Sequence, residues 1–245
     1  MLDEYSFAET EQPLNPMEIE MIRRVDDVFL HSEGLLERKG KFNPRTHVVP
    51  NGVEYELFSR ARPQPADLAA IPHPRIGYTG WIKKQLDWSL LESLATRNPQ
   101  WHFVFVGGRS PHAELDDVVE RLQSLPNVHF LGEKPTTELA AYPQHFDCCI
   151  MPYEQNAYTN SIYPLKLHEY LATGRPVVGS RIRSLELHEE VVSLAGTAEQ
   201  WETGIRGALR PEASTADLIQ KRKAIAQQHD WSVLVRKIAD RIGVA

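Results

Sequence analysis

Cysteine is nearly absent: the 245 residues hold two, Cys148 and Cys149, and adjacent cysteines cannot build an ordinary disulfide framework. They lie in an apolar run ending Ile150-Met151, where a free cysteine packs as a small hydrophobe. No apolar run approaches the roughly 20 residues of a membrane-crossing helix. Met1 to Thr10 is acidic and polar, unlike a secretion signal, so cytoplasm is the expected compartment. Positive charge is not in excess either. A net charge of -6 and a pI near 5.9 argue against a surface built for phosphate backbones, and no nucleic-acid partner is expected. The ten histidines show no close pairing on one helix face of the kind zinc uses. No Asp-x-Asp pair closes a strand, so neither a metal nor a resident cofactor is expected. Short internal repeats and low-complexity tracts are missing too.

What remains is the composition of a soluble globular protein, 42% hydrophobic and 24% charged, long enough for one large domain or two small ones. Residues 1–16, with Pro13 and Pro16, read as a loop or tail, and Met17 to Arg24 as a short helix. Asp27 to His31 reads as a strand, Ser32 as the cap of a helix through Lys39, and Thr46 to Val49 as a second strand. Two parallel strands with one crossover are too little sheet to stand alone. Ser59 to Pro74 holds Pro63, Pro65, Pro72 and Pro74 and reads as a linker.

Beyond it the pattern is regular. Strands at Arg75 to Tyr78, Trp101 to Val106, Val128 to Leu131, Cys148 to Met151, Val177 to Val178 and Val191 to Leu194 alternate with helices. The helices fall near Asp87 to Thr96, His112 to Leu125, Thr137 to Tyr142, Leu165 to Thr173 and Ala198 to Leu209. Alternation of this kind predicts an α/β fold, a Rossmann-like parallel sheet with helices on both faces. Ligands of such sheets bind at the carboxyl ends of the strands.

One stretch organises the rest: Asn160 to Gly179, in which Pro164 suits a first helical position and Gly174 with Pro176 stops the helix. The amides of Leu165 and Lys166 then lack helical acceptors at the positive end of the helix dipole, a place for phosphate. Lys166 adds a point charge, and Glu169, one turn along, offers two acceptor oxygens to a hydroxyl pair. An ordinary helix with Lys166 and Glu169 as an exposed pair fits these residues equally well. After the first strand of the sheet, Gly80 permits close backbone approach, and Lys83 or Lys84 is placed to reach a diphosphate. Two solvated lysines at a helix start are the matching alternative. Gly107-Gly108-Arg109-Ser110 reads as a structural turn, with Arg109 as a phosphate contact in the second reading.

The run Ser161 to Ser180, with its Pro-Leu-Lys-Leu-x-Glu-Tyr-Leu-Ala-x-Gly-Arg-Pro-Val-Val core, resembles the donor signature of retaining glycosyltransferases of the GT-B fold, the group 1 family. Asp27 to Phe58 is similar to the end of that family's N-terminal, acceptor-binding domain, and His229-Asp230-Trp231-Ser232 to its closing segment. The resemblance implies a nucleotide diphosphate sugar as the donor, with Glu169 on the ribose hydroxyls and the Leu165 and Lys166 amides on the diphosphate. It implies that the backbone of Gly132-Glu133-Lys134-Pro135 meets the nucleobase, and Lys134 joins the donor-binding set. Lys84 and Lys166 are the candidate catalytic cations, and Gly80, Lys83, Asn160 and Ser161 complete the candidate site. Ser161 stands where many members carry a second Glu on the donor sugar.

The implied division is a remnant of the acceptor domain at 1–58, a linker at 59–74, a donor domain at 75–228, and a returning helix at 229–245. The chain would be the donor half of a hexosyltransferase-like enzyme, incomplete as a catalyst alone. Its missing acceptor domain is either truncated or supplied by a partner chain. The acceptor stays unknown, and peripheral contact with a membrane stays open. Two other readings remain at this stage: a nucleotide-sugar epimerase of the same fold, and a non-catalytic nucleotide-sugar-binding module of a split enzyme.

Overall fold

The computed structural model describes residues 14–109 and 113–244, apart from the side chains of residues 113 and 114. The expected tail over residues 1–13, Ser110 and His112 lie outside the described residues. Asn15 caps the first helix, α1 (Pro16–Arg24), by accepting from the Met17 amide, and Pro16 sits in its first turn. Strand β1 (Val28–Leu30), helix α2 (Glu33–Lys39) and strand β2 (Thr46–Val48) follow, with Ser32 capping α2 through the Leu35 amide. The two strands pair parallel, Val28 opposite Thr46. Ile22, Val28, Leu30 and Leu35 form their small core.

The segment expected to be a plain linker carries structure. Helix α3 (Tyr55–Ser59) precedes it, and a single turn, α4 (Ala66–Ala69), lies inside it because Leu68 is fully buried.

Six strands then form one parallel sheet: β3 (Arg75–Thr79), β4 (His102–Val106), β5 (Val128–Phe130), β6 (Cys148–Met151), β7 (Val177–Ser180) and β8 (Val192–Ala195). Each is joined to the next by helix: α5 (Trp88–Arg97), α6 (Ala113–Gln123), α7 (Thr136–Leu139), α8 (Lys166–Thr173) and α9 (Arg183–Glu186). Crossovers of this kind return the chain to the same end of the sheet, which is why the strands run parallel. β3, β4, β6 and β7 are apolar along most of their length because both faces are covered. Cys148 and Cys149 are fully buried there, and burial pushes both thiols up, out of the reactive range. Gly77 is dictated by packing: a Cβ on it would lie 2.0 Å from the Phe146 ring.

Helices α10 (Ala198–Ala208), α11 (Ala216–Gln228) and α12 (Trp231–Ile242) complete the chain. Sequence periodicity does not announce α11, because only Arg222 and Ala226 of its residues are buried. Between α11 and α12 the chain crosses back to the segment before α3. Val53 donates to the His229 carbonyl at 2.9 Å and Trp231 donates to the Val53 carbonyl at 3.1 Å.

The strand order, β5-β4-β3-β6-β7-β8, places the site. From β3 the chain moves outward through β4 and β5, then returns to lay β6 on the other side of β3. The loops after β3 and β6 therefore diverge and leave a crevice between them, the place where ligands of open α/β sheets bind.

Candidate functional site

Two loops and one helix line the crevice. The loop after β3 is held to its neighbours by backbone bonds: Gly80 donates to the Val106 carbonyl and Ile82 to the Gly108 carbonyl, both at 2.8 Å. The loop after β6 is tied to it, Asp87 donating to the Pro152 carbonyl at 2.8 Å and Glu154 to the Gln85 carbonyl at 3.0 Å. Helix α8 opens beside both. Its Leu167 and Glu169 amides are the first with helical acceptors, on Pro164 and Leu165 at 3.2 and 3.4 Å. The preceding amides of Leu165 and Lys166 are the ones the helix geometry leaves unused.

Lys166 turns its side chain across the crevice rather than into solvent. Its ammonium lies 5.1 Å from the centre of the Tyr78 ring and 6.0 Å from that of Tyr153. Those rings belong to β3 and to the loop after β6, one on each side of the switch in strand order. The same ammonium stands 3.1 Å from where a Cβ on Gly80 would be. Gly80 has a φ of 118°, open to glycine and strained for other residues. Burial works against the ammonium, but the phenols of Tyr153, Tyr78 and Tyr170 and the Glu169 carboxyl outweigh it, and the pKa of Lys166 is raised. Glu169 is half-buried on the same helix. Burial lifts its carboxyl above the usual carboxylate range and the Lys166 charge pulls it back. Tyr170 fixes the frame, its hydroxyl accepting from the Thr79 amide at 2.8 Å.

The structure thus brings Gly80, Leu165, Lys166 and Glu169 together, with Lys83 and Lys84 on the same β3 loop. Lys84 lies close enough to Glu154 for its charge to act on that carboxyl. The remaining candidates are engaged elsewhere. Lys134 pairs with Asp67 of α4 at 2.9 Å and stands over the Tyr142 ring. Ser161 gives its hydroxyl to the Ala157 carbonyl at 2.9 Å, and its backbone presses on Gly34 of α2. Asn160 accepts from the Arg183 amide at 3.4 Å and lines a cavity of about 320 Å³ between the β1-α2 unit and α9. Arg109 pairs with Asp116 at 3.3 Å.

Sequence reading missed a histidine cluster. His168 on α8, His188 after α9 and His229 before α12 bring their ring nitrogens within 4.8 Å of one another. Residues so far apart in the chain leave no spacing to detect. The Tyr163 hydroxyl lies 2.9 Å from His168 Nε2 and 3.0 Å from His188 Nε2, and the His168 and His229 rings stack with centroids 3.8 Å apart. Parallel stacked rings do not aim their lone pairs at one point. The cluster is therefore built as a hydrogen-bonded hub around Tyr163, and it ties α8 to the crossover at His229. Burial holds all three imidazoles neutral, pushing His168 down to about 2, His188 down to about 4 and His229 below its ordinary value.

Comparison with known proteins bears on the family and the fold. The family described as "Glycosyl transferases group 1" matches residues 73–228. TuaH of Bacillus subtilis (strain 168), named for glycosyl transfer in teichuronic acid biosynthesis, is 33% identical over 238 residues, covering 93% of this chain and 59% of that protein. The sucrose-phosphate synthase (tll1590) of Thermosynechococcus elongatus superposes with a TM-score of 0.72 at 20% identity, over 91% of this chain and 59% of that one. HepE (Alr3699) of Anabaena, solved in complex with UDP and glucose, superposes with a TM-score of 0.70 at 18% identity, over 94% and 66%. The chain thus spans about three-fifths of the length of the relatives it matches.

Proposed function

The chain belongs to the group 1 glycosyl transferases and has their GT-B fold, and from that premise we propose that it is the donor-binding part of a retaining glycosyltransferase. It holds a nucleoside diphosphate sugar and, within the whole protein, serves transfer of the sugar to an acceptor hydroxyl. The observation that carries this reading is the placement of Lys166, whose ammonium bridges the crevice between β3 and β6 directly beside the free amides that open α8. The presence of UDP and glucose in HepE, a protein of the same fold, supports the ligand class.

In the proposed reaction the Leu165 and Lys166 amides and the Lys166 ammonium hold the diphosphate, with Lys84 entering from the β3 loop. The bond from the anomeric carbon to the phosphate oxygen breaks, and its electron pair goes to that oxygen. These cationic and dipolar groups stabilise the charge that develops there. The acceptor oxygen bonds the anomeric carbon on the face that the phosphate leaves, and its proton passes to the leaving phosphate oxygen. Glu169 accepts from the ribose hydroxyls and fixes the nucleotide. Much of the rate of such a transfer lies in holding the acceptor, and this chain alone would bind nucleotide while transferring sugar slowly or not at all.

Calorimetric titration of UDP, GDP and ADP into the 245-residue chain tests the reading. One of them binds, and Glu169→Ala weakens it about tenfold or more, while Glu120→Ala on the exposed face of α6 leaves it unchanged. Equal, negligible effects of the two substitutions would remove the site assignment. Rapid sugar transfer by the chain alone would refute its incompleteness.

A further inference from the structure

Trp81 is the one Trp, Tyr or Phe among the described residues left more than half exposed, at 57%, and it follows Gly80 directly. It stands beside the proposed phosphate cradle on a shelf made by three loops. Gly80 donates to the Val106 carbonyl, Ile82 to the Gly108 carbonyl, and Gly107 to the Gly132 carbonyl at 2.9 Å, which joins the carboxyl ends of β3, β4 and β5 into one surface. Gly80, Gly107 and Gly132 all have positive φ, at 118°, 153° and 73°. The shelf is largely bare backbone, because a Cβ on Gly107 would fall 2.1 Å from the Gly80 carbonyl oxygen.

Over the middle of this shelf two side chains converge. A point where a Cβ on Gly108 would stand is 3.1 and 3.3 Å from two atoms of the Trp81 indole, and 3.4 Å from a carboxylate oxygen of Glu133. The six-membered ring of the indole thus meets Gly108 and the Glu133 carboxylate closes its rim, both side chains exposed. From Gly80 to Gly132 the shelf spans two strand spacings, about 10 Å. That is comparable to the reach of a nucleoside diphosphate from its phosphates to its base.

Resting on the reading of the cradle given above, we infer that Trp81 is the stacking platform for the nucleobase and that Glu133 selects a base carrying a ring N–H, uracil or guanine. A flat indole beside a phosphate site offers a base a face, and stacking of this kind tolerates any base. Selection needs the rim. A carboxylate accepts hydrogen bonds and cannot donate. It therefore pairs best with the ring N–H on the pairing edge of uracil or guanine; adenine and cytosine offer only an amino N–H there, beside a ring-nitrogen lone pair that repels it.

Titration of UDP, GDP, ADP and CDP followed by calorimetry and by tryptophan fluorescence tests the inference. The expected result is binding of UDP or GDP in preference to ADP and CDP, with quenching of fluorescence. Of the other four tryptophans, Trp88, Trp101 and Trp201 are buried and Trp231 packs on Gly52, so loss of the quench in Trp81→Phe assigns the signal to Trp81. Trp81→Ala weakens binding by about fivefold or more, and Trp81→Phe restores most of the affinity without the quench. Glu133→Gln narrows the gap between the favoured base and ADP. Because Trp81 and Glu133 are exposed, these variants keep the fold. If the wild-type chain binds no nucleoside diphosphate, the donor-site reading itself fails. If it binds one and Trp81→Ala binds equally well, or ADP binds as tightly as UDP and GDP, the inference fails while the donor-site reading stands.

Discussion

Gly80 and Lys166 share one space: a Cβ on the glycine would lie 3.0 Å from the lysine Cε and 3.1 Å from its Nζ. Helix α8 and the β3 loop are thereby fitted to each other through a residue that has no side chain. The lysine can cross the crevice only while that position stays empty.

Gly80→Ala therefore acts through Lys166. The added methyl strains a backbone at positive φ and displaces the ammonium from its place against Tyr78. Nucleoside diphosphate affinity should fall by roughly tenfold, the scale of one charge-assisted hydrogen bond. Calorimetry on the variant checks this; unchanged affinity with an intact fold would show that Lys166 has no part in binding.

The lysines of the site are unequal. Lys166 opens α8 and is held between two tyrosine rings beside the free amides, whereas Lys84 stands in a loop where the Glu154 carboxyl shares its charge. Lys166→Met should weaken diphosphate binding by about 2 kcal/mol and Lys84→Met by less than half of that. Reversal of the order in parallel titrations would move the phosphate site toward the β3 loop.

Gly77 gives a stability test independent of function. With the Phe146 ring 2.0 Å from its missing Cβ, Gly77→Ala overpacks the centre of the sheet and should cost about 3 kcal/mol. Urea unfolding measures it. A loss below about 1 kcal/mol would mean that Phe146 repacks freely.

The strands were legible because four of the six in the main sheet are apolar along most of their length, a pattern that turns and charged helix faces frame clearly. The end of α8 was legible for a different reason: Gly174 closes it with a φ of 77°, open to glycine. Its start was legible only nearly, since the helix begins at Lys166 with Leu165 as its cap, and Pro164 stands just before it rather than at its first position. What escaped notice depends on distance in the chain. α11 buries only Arg222, which donates to the Gly174 and Ala213 carbonyls, and Ala226, with Ile225 packed against the core, too few apolar residues to mark a helix in the sequence. Lys134 reads as a loop cation until Asp67 of α4 is found beside it. The Tyr163 hub draws on α8, α9 and the crossover before α12, and no window of sequence holds all three.

That hub makes the protein sensitive to acid in a definite window. His168, His188 and His229 are kept neutral by burial, so their folded pKa values lie below the unfolded value of about 6.5. Below pH 6.5 the unfolded chain takes up protons that the folded chain refuses, and stability falls as pH falls toward about 4, where His188 begins to charge in the fold. Each such histidine contributes a slope of about 1.4 kcal/mol per pH unit at most. His102 and His129, also lowered by burial, add to the slope of the whole protein, and so a variant is needed to isolate the hub. His168→Phe keeps a ring to stack on His229 and leaves the Tyr163 hydroxyl its partner on His188. Urea unfolding between pH 7 and pH 4.5 should show a slope shallower by about one proton in the variant. Equal slopes would mean that His168 titrates alike in both states, and that the stacked rings do not hold the crossover by their neutrality.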